Sequence, residues 1–171
     1  MTIGAKDAPS VSCDFNRIVK DPIQGVQIKE VKHIVTRNSL TTEVIRSDWG
    51  LDTGNIEQAL LVRLRVGTIS GWHCHRHQTD HIFCLLGAMR LVLFDGRDDS
   101  PTRNRLMELF LSDSRPTLVV IPTGVWHGVQ NLWHQETMFM NFFNRVYEHD
   151  DPDEWRLPLE NDTIPYRFPT R

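Results

Sequence analysis

Gly67-Thr-Ile-Ser-Gly-Trp-His73-Cys-His75-Arg-His77-Gln-Thr-Asp80-His81 carries four of the eight histidines of the chain within nine positions. Histidine at this density indicates a functional site, because imidazole acts as a metal ligand and as a base near neutral pH. In an extended strand successive side chains alternate between faces, so His73, His75 and His77 are expected on one face. Two imidazoles at positions i and i+2 can hold a metal ion, or can present a base and an anion-binding group to one ligand.

A second segment, Ile121-Pro-Thr-Gly124-Val-Trp-His127-Gly-Val-Gln-Asn131, places another histidine just after a Pro-x-Gly turn. A strand that follows such a turn can return beside an earlier strand of the chain. We therefore expect His127 next to the first histidine group in a closed barrel.

Together the two segments resemble the two motifs of the cupin superfamily, G-x5-H-x-H-x3,4-E-x6-G and G-x5-P-x-G-x2-H-x3-N. The first motif is matched at Gly67, His73, His75, Asp80 and Gly87, with Asp80 in place of the usual glutamate. The second is matched at Pro122, Gly124, His127 and Asn131, with Pro116 in place of the leading glycine. The resemblance implies an all-β fold, a cupin jelly-roll barrel of two antiparallel sheets.

The rest of the chain agrees with an all-β fold, because apolar runs alternate with turn residues. Strands are predicted over Val26–Thr36, Gln58–Val66, Ile82–Leu86, Met89–Phe94, Leu118–Pro122 and Thr137–Val146. The segment Arg105–Leu111 is ambiguous, since its apolar residues also suit one face of a helix. We expect a single cupin domain over residues 1–171, with an N-terminal arm (1–25) and a C-terminal tail (150–171).

Composition favours a small-molecule partner. The 171 residues carry a net charge of −3 and no block of Lys or Arg, so neither nucleic acid nor a membrane surface is an expected partner. No run approaches the length of a membrane span, and the first residues lack the apolar core of a signal peptide. Three cysteines without an export signal predict free thiols and a cytoplasmic location.

From about Ile23 to Trp155 the chain also resembles the dTDP-4-dehydrorhamnose 3,5-epimerases and related sugar-nucleotide-modifying cupins. Ser70-Gly-Trp-His73 is similar to the Arg-Gly-Leu-His of that family, and Ser100-Pro-Thr to its Ser-Pro-Thr. Ile121-Pro-Thr-Gly-Val-Trp-His127-Gly is similar to its Ile-Pro-Pro-Gly-x-x-His-Gly. The resemblance implies an epimerase or isomerase that removes a proton beside the ketone of a nucleotide-linked 4-keto sugar. It also implies that no cofactor is required and that the chain forms a homodimer with exchanged N-terminal strands.

The same resemblance suggests roles for individual residues. His73 takes the position of the base, and His127 lies near the enolate or the sugar. An acidic partner for the base is expected at Asp150 or Asp151.

Three groups of the family pattern are replaced. Ser70 stands at the position of an arginine, Asp80 at that of a lysine, and the tyrosine that acts as the acid falls near Met140. Tyr147 is a candidate for a displaced acid. The remaining substrate-binding candidates are Arg63 and Arg65, which can bind a diphosphate, and His81.

The substitutions also favour a metal site. Metal-binding cupins use two histidines and a carboxylate from the first motif with the histidine of the second, and here His73, His75, Asp80 and His127 fill those places. Such a set leaves open positions on Fe, Mn, Ni or Zn for substrate or water. His77 or His81 can substitute for Asp80 as a ligand. Two alternatives to the epimerase therefore stay open: a metal-dependent enzyme such as an oxygenase acting on a small molecule, and a non-catalytic ligand-binding cupin.

Overall fold

A computed structural model describes residues 4–169 of the chain, and strands account for nearly all of its regular structure. A single 3-10 turn spans Ser47–Trp49. The strands are β1 (Gln27–Glu30), β2 (His33–Val35), β3 (Leu40–Thr42), β4 (Gln58–Leu64), β5 (Ile69–Cys74), β6 (Asp80–Leu86), β7 (Ala88–Asp95), β8 (Leu106–Ser112), β9 (Thr117–Ile121), β10 (Val125–Asn131), β11 (Thr137–Phe143) and β12 (Trp155–Arg156).

The strands form two five-stranded sheets, in the orders β1-β9-β6-β11-β4 and β12-β5-β10-β7-β8, and β2 and β3 form a separate hairpin. All of these pairings are antiparallel. The predicted all-β cupin jelly roll is thereby confirmed. The ambiguous segment Arg105–Leu111 forms β8, where Met107, Leu109 and Leu111 are buried and the residues between them are more exposed.

The interior between the sheets has two sides that differ in packing. One side, which we call the filled side, lies between β1 and β9 of the first sheet and β7 and β8 of the second. Its buried apolar side chains include Met89, Leu91, Leu93, Met107, Leu109, Leu111, Val119 and Ile121. The other side, the open side, lies between β4, β11 and β6 of the first sheet and β5 and β10 of the second, and contains a cavity.

The C-terminal segment packs against the outer face of the second sheet. Its strand β12 pairs with β5, so that Arg156 lies opposite His73 in the register. Farther along, Ile164 joins a second apolar cluster with the buried Trp72 of β5. This segment therefore forms one edge of the sheet that carries the histidines.

The division into an arm (1–25) and a tail (150–171) stays a prediction. Ile23, within the predicted arm, is buried in the core. No helix among residues 4–169 is long and apolar enough to cross a membrane.

Candidate active site

The cavity on the open side has a volume of about 260 Å³. One part of its wall is apolar, formed by Leu60, Val62, Ile82, Val129, Phe139 and Phe143. The rest is polar and contains the histidines of both motifs together with Ser70, Gln78, Asp80, Asn141, Tyr147 and Glu154. The sheets thus bring residues that lie far apart in the sequence, from Leu60 to Glu154, to one small cavity.

Two glycines bring the strands of the two motifs together. A Cβ atom on Gly71 would lie 2.9 Å from the Cα atom of Gly128, so a larger residue at this position would push β5 and β10 apart. In the resulting register His73 lies opposite His127. Their rings are stacked, with centroids 5.8 Å apart.

His73 is held from both ring nitrogens. Its Nδ1 lies 3.0 Å from Oε1 of Glu154, and its Nε2 lies 3.1 Å from Oγ of Ser70. An ionised carboxylate only accepts hydrogen bonds, so Nδ1 carries the hydrogen and Nε2 presents its lone pair to the Ser70 hydroxyl. Burial, with the nearby His127 and the Arg156 guanidinium, lowers the pKa of His73 to about 4. The imidazole is therefore neutral near pH 7 and can accept a proton.

Asp80 lies beside the other two site histidines. Its Oδ2 is 3.5 Å from Nε2 of His75 and 3.3 Å from Nε2 of His127. Gln78 donates to Oδ1 at 2.7 Å and Asn141 donates to Oδ2 at 3.0 Å. The carboxylate is almost fully buried, and these four polar contacts fix its orientation.

The charges of this group are coupled. Burial raises the pKa of Asp80, but hydrogen bonds from His127 and His75 outweigh burial and hold that pKa well below its usual range. Burial likewise lowers the pKa of His75, while the hydrogen bond and the charge of Asp80 raise it above the ordinary value. Asp80 is therefore ionised, and it favours a positive charge, either a proton or a cation, on the neighbouring imidazoles.

The ring orientations show where that charge can sit. Nδ1 of His75 donates to the carbonyl oxygen of Asp153, and Nδ1 of His127 lies 3.3 Å from the carbonyl oxygen of Val125. Because carbonyl oxygens only accept, both histidines direct Nε2 toward Asp80. These three ligand atoms lie within 4.8 Å of one another, as the ligands of one metal ion would. His73 is outside this group, so only three of the four predicted ligands converge.

The acidic partner of His73 corrects the sequence prediction. Asp150 and Asp151 are exposed and do not line the cavity, whereas Glu154 does. The pairing of β12 with β5 brings Glu154 to the histidine. This contact could not be predicted from the sequence, because a two-residue strand has no period from which its pairing could be read.

The structure divides the remaining predicted site residues into two groups. Tyr147 lines the cavity together with His73 and His127, as expected of a displaced acid. The cavity wall includes none of Arg63, Arg65 and His81. Arg63 is exposed and lies 3.8 Å from Glu136, because it occupies the outward face of β4. His81 is fully buried on the opposite face of β6 from Asp80.

His77 does not join the other histidines of its motif. Strand β5 ends at Cys74, so the alternation that predicted three histidines on one face stops before His77. The side chain of His77 is exposed. Cys74 is buried and absent from the cavity wall, as expected for a residue between two site histidines.

A neutral buried base, a buried carboxylate with two imidazoles and a tyrosine in one cavity define a cupin enzyme suited to proton transfer on a small molecule. The family model of dTDP-4-dehydrorhamnose 3,5-epimerase matches residues 23–163, and the chain belongs to this family. The predicted family is confirmed, and membership favours the epimerase interpretation over the metal-dependent alternative.

Two relatives are similar to this chain over most of its length. The chain is 29% identical over 139 residues to the probable low-salt glycan biosynthesis epimerase Agl13 of Haloferax volcanii, with 81% of this chain and 89% of that protein covered. It is 30% identical over 148 residues to the spore coat polysaccharide biosynthesis protein SpsL of Bacillus subtilis, with 86% and 97% covered. The names of these two relatives refer to glycan biosynthesis and to spore coat polysaccharide biosynthesis.

Solved structures agree on the fold. A dTDP sugar isomerase from Desulfovibrio desulfuricans superposes with a TM-score of 0.79 at 22% identity, covering 87% of this chain and 92% of that one. The 3,5-epimerase RmlC of Legionella pneumophila, in complex with dTDP-4-keto-L-rhamnose, gives a TM-score of 0.76 at 21% identity, covering 87% and 81%. At this identity the likeness establishes the shared jelly roll.

Proposed function

We propose that this protein epimerises a nucleotide-linked 4-keto sugar, with His73 as the base. The observation that carries the proposal is the ring of His73, neutral and fixed between Glu154 and Ser70 in the wall of the cavity. A base that removes a carbon-bound proton needs an unprotonated nitrogen and a fixed orientation, and the substrate carbon would take the place of the Ser70 hydroxyl at Nε2. Family membership supplies the substrate class.

The proposed reaction moves one proton off a carbon and one back onto it. Nε2 of His73 takes the hydrogen from the carbon beside the ketone, and the electron pair of that C–H bond becomes the enolate. The positive charge that Asp80 favours on His75 stabilises the enolate oxygen. Tyr147, on the wall of the same cavity, donates its hydroxyl proton to the other face of the carbon. The His73 imidazolium then releases its proton to water, and the Tyr147 phenolate takes one from water, which restores both groups. No electrons are gained or lost, so proton transfer by these residues requires no cofactor.

The cavity volume suits only the sugar part of the substrate. Pockets that bury whole drug-sized ligands have volumes of about 300 to 1,000 Å³. The cavity here, about 260 Å³, suits the sugar ring, with the nucleotide outside the barrel. The apolar part of its wall suits the carbon atoms of a deoxy sugar.

Solvent deuterium exchange tests the proposal. The protein is incubated in D₂O with nucleotide-linked 4-keto-6-deoxy sugars bearing different nucleotides, and label beside the ketone is measured by mass spectrometry. Wild-type protein is expected to incorporate deuterium, because enolisation exposes that carbon to solvent exchange. His73→Asn keeps much of the shape but removes the base, so the rate should fall about 10² to 10⁴-fold.

His134→Asn is the matched control, since His134 is exposed and does not line the cavity. It should exchange at the wild-type rate. Absence of label from every sugar, under conditions in which an authentic 3,5-epimerase labels its substrate, would reject the proposal.

A second proposal is a divalent metal ion, with Fe, Mn, Ni and Zn as candidates, bound by His75, Asp80 and His127. The convergence of their three ligand atoms favours it, and so do the carbonyl groups that fix both Nδ1 atoms, which is how metal-bound histidines are commonly oriented. Bound there, a metal would supply a Lewis acid to the cavity. Elemental analysis of protein purified without a histidine tag should find stoichiometric metal that His75→Ala loses. Equal content in both proteins would reject the metal.

We also propose a homodimer. The β2–β3 hairpin exposes Ile34, Val35 and Leu40, and β4, the edge strand at the other end of the first sheet from β1, exposes Leu60 and Leu61. An isolated hairpin is marginally stable, and exposed apolar edges commonly pair with another chain. Light scattering at micromolar concentration should give twice the mass of the chain. Val35→Asp should shift the mass toward one chain, and a monomeric wild type would reject the dimer.

The proposed location is the cytoplasm. The three cysteines, Cys13, Cys74 and Cys84, support it as free thiols, which persist in a reducing compartment. Fractionation of the cells that make the protein tests this location, and recovery outside the cytoplasm would contradict it.

A further inference from the structure

Asp153 closes the loop that follows the histidine strand. Its Oδ1 accepts a hydrogen bond from the backbone N–H of Arg76 at 2.9 Å. Its Oδ2 accepts from the backbone N–H groups of His77 at 2.7 Å and Gln78 at 3.0 Å. Three consecutive amides therefore point at one carboxylate, which comes from a segment more than seventy residues later in the chain.

The same residue contacts a site histidine through its backbone. The carbonyl oxygen of Asp153 accepts the hydrogen of Nδ1 of His75. His75 lies beyond the end of β5, which is at Cys74, so the ladder hydrogen bonds of the strand do not extend to it. Gly124 donates to the carbonyl oxygen of His75 and fixes its backbone, while the Asp153 carbonyl at Nδ1 and the Asp80 carboxylate at Nε2 orient the ring.

The next residue contacts the other histidine of the motif. Glu154 accepts from Nδ1 of His73, so two consecutive residues of the C-terminal segment contact the two histidines at i and i+2. Each contact is an acceptor at Nδ1, which leaves each Nε2 facing the cavity. The position of the segment relative to the loop therefore determines which nitrogen each ring presents.

We propose that Asp153 is the positioning residue that sets the ring orientation of both His73 and His75, by fastening the C-terminal segment to the 76–78 loop. Its carboxylate binds the three loop amides and so holds the segment in place. Its carbonyl oxygen accepts from Nδ1 of His75 and orients that ring. Because Glu154 is the next residue, the same attachment places the Glu154 carboxylate beside His73. Asp153 does not touch the substrate and acts only through the two rings. Its catalytic consequence rests on the proposed function, while the orientation of the rings does not.

The competing explanation is that Asp153 only stabilises a surface turn. Both explanations predict some loss of stability when the carboxylate is removed, so stability does not separate them. Only the positioning role predicts that the protected Nδ1–H signals of both rings are lost together. The hydrogen-bonded Nδ1–H signals of the two histidines, measured by ¹⁵N-edited NMR on histidine-labelled protein, are therefore the decisive observation.

The experiment uses the full chain and the variant Asp153→Asn. An asparagine side chain presents an NH₂ group where one carboxylate oxygen stood, so it cannot accept from all three amides. Wild-type protein should show protected Nδ1–H signals of His73 and His75, assigned by their loss in His73→Asn and His75→Asn and so distinguished from that of the buried His81, whose Nδ1 contacts the carbonyl oxygen of Phe142. In Asp153→Asn both signals should disappear into fast solvent exchange. The deuterium-exchange rate should fall on the order of 10 to 100-fold, as expected for a displaced catalytic group.

Asp151→Asn provides the matched control, because Asp151 is an exposed acid of the same segment and does not line the cavity. It should retain both signals. Asp153→Glu, which keeps a carboxylate, is the second variant and should retain more of both signals than Asp153→Asn. If circular dichroism shows that Asp153→Asn is unfolded, Asp153→Glu is compared with wild type instead. Its Nδ1–H signals should be weaker than those of wild type.

Intact Nδ1–H signals of both His73 and His75 in a folded Asp153→Asn would overturn the proposal, and so would fully intact signals in Asp153→Glu if the asparagine variant does not fold. Loss of the signals in Asp151→Asn to the same extent would also overturn it, since any loosening of the segment would then suffice. The NMR result is independent of substrate. A wild type that labels no sugar would defeat the proposed function and leave the positioning role to be decided by the spectra.

Discussion

The filled and open sides of the barrel are built from the same kind of strand, but their inward residues have different roles. On the filled side, Leu91 and Leu109 are examples of inward residues that need only volume and an apolar surface. On the open side, inward residues such as Asp80 and His127 need specific partners at specific atoms. Strand β6 shows both within one element, because its inward residues change from Asp80 at the cavity to Cys84 in the core.

The difference predicts how each side tolerates substitution. A buried apolar cluster loses stability in proportion to the volume removed, and the rest of the cluster stays in place. A polar site loses function when a single hydrogen bond changes, even if the fold is unaffected. Substitutions on the open side should therefore alter chemistry more than stability, and those on the filled side should do the opposite.

The largest effect on chemistry short of removing the base is expected from Glu154→Gln. The glutamine amide can donate to Nδ1 of His73, which places the hydrogen on Nε2 and removes the lone pair that accepts the substrate proton. Deuterium exchange should fall on the order of 10² to 10⁴-fold, with a change in melting temperature of a few degrees at most. The measurement is exchange at saturating sugar, beside thermal unfolding.

Glu160→Gln, an exposed change outside the cavity wall, should leave the exchange rate as in wild type. An unaltered rate in Glu154→Gln would show that the carboxylate does not set the state of His73. It would also remove the distinction between the two sides of the barrel.

The largest effect on stability is expected on the filled side, from Leu91→Ala. Leu91 is fully buried, so the substitution leaves a cavity and should lower the free energy of unfolding by about 2–5 kcal/mol. Exchange per folded molecule should change less than about threefold, because Leu91 does not itself line the cavity and reaches it only through its neighbour Val129. Urea unfolding and exchange on the same preparation check both halves of the prediction. A loss of exchange beyond the loss of folded protein would mean that the two sides are coupled.

A smaller effect on stability is expected from Asp95→Asn, at the end of β7. Burial raises the pKa of Asp95, but hydrogen bonds from Arg97, Ser100 and Thr102 outweigh it and hold that pKa well below the usual range. The amide cannot accept all of these bonds, so the free energy of unfolding at pH 7 should fall by about 1–3 kcal/mol.

The pH dependence of this difference has a defined sign. A carboxyl with a lowered pKa in the folded state stabilises the fold above its unfolded pKa, near 3.9, and loses that contribution as the pH falls toward the folded pKa. The gap between wild type and Asp95→Asn should therefore be constant from about pH 5 to 7 and narrow below about pH 4. Urea midpoints at pH 7 and pH 3 measure it, and a gap that widens in acid would contradict the assignment.

The sequence predicted the filled side more fully than the open side, because a hydrophobic period is a local property of the chain. Alternation located most of the core strands, but the predicted strand Val26–Thr36 is divided between β1 and β2 in different sheets, and the tertiary environment decided Arg105–Leu111, which became β8 once its apolar face met the core. The two motif spacings also located His73, His75, Asp80 and His127.

The supporting contacts of the site were beyond prediction, because they depend on pairing between distant segments. Glu154 reaches His73 only through a two-residue strand, and His77 is excluded only because β5 ends at Cys74. Arg63 was a candidate for binding a diphosphate. It lies on the outward face of β4, away from the cavity. The face of the sheet that a side chain occupies, and the residue at which a strand ends, depend on the pairing of the whole sheet.

The smallest expected effect therefore comes from Arg63→Ala, and it tests whether the outward face of β4 is separate from the site. The Arg63 guanidinium is 67% exposed and lies 3.8 Å from Glu136, a surface ion pair of about 0–1 kcal/mol. Neither kcat nor KM for the sugar nucleotide should change more than about twofold, and the melting temperature should move by a degree or two. Gln58→Ala on the same strand is a useful contrast, because Gln58 accepts from the backbone of Tyr147 and its loss should lower kcat. A KM raised tenfold in Arg63→Ala with kcat unchanged would return Arg63 to substrate binding, and in a homodimer would point to a site that receives this arginine from the partner chain.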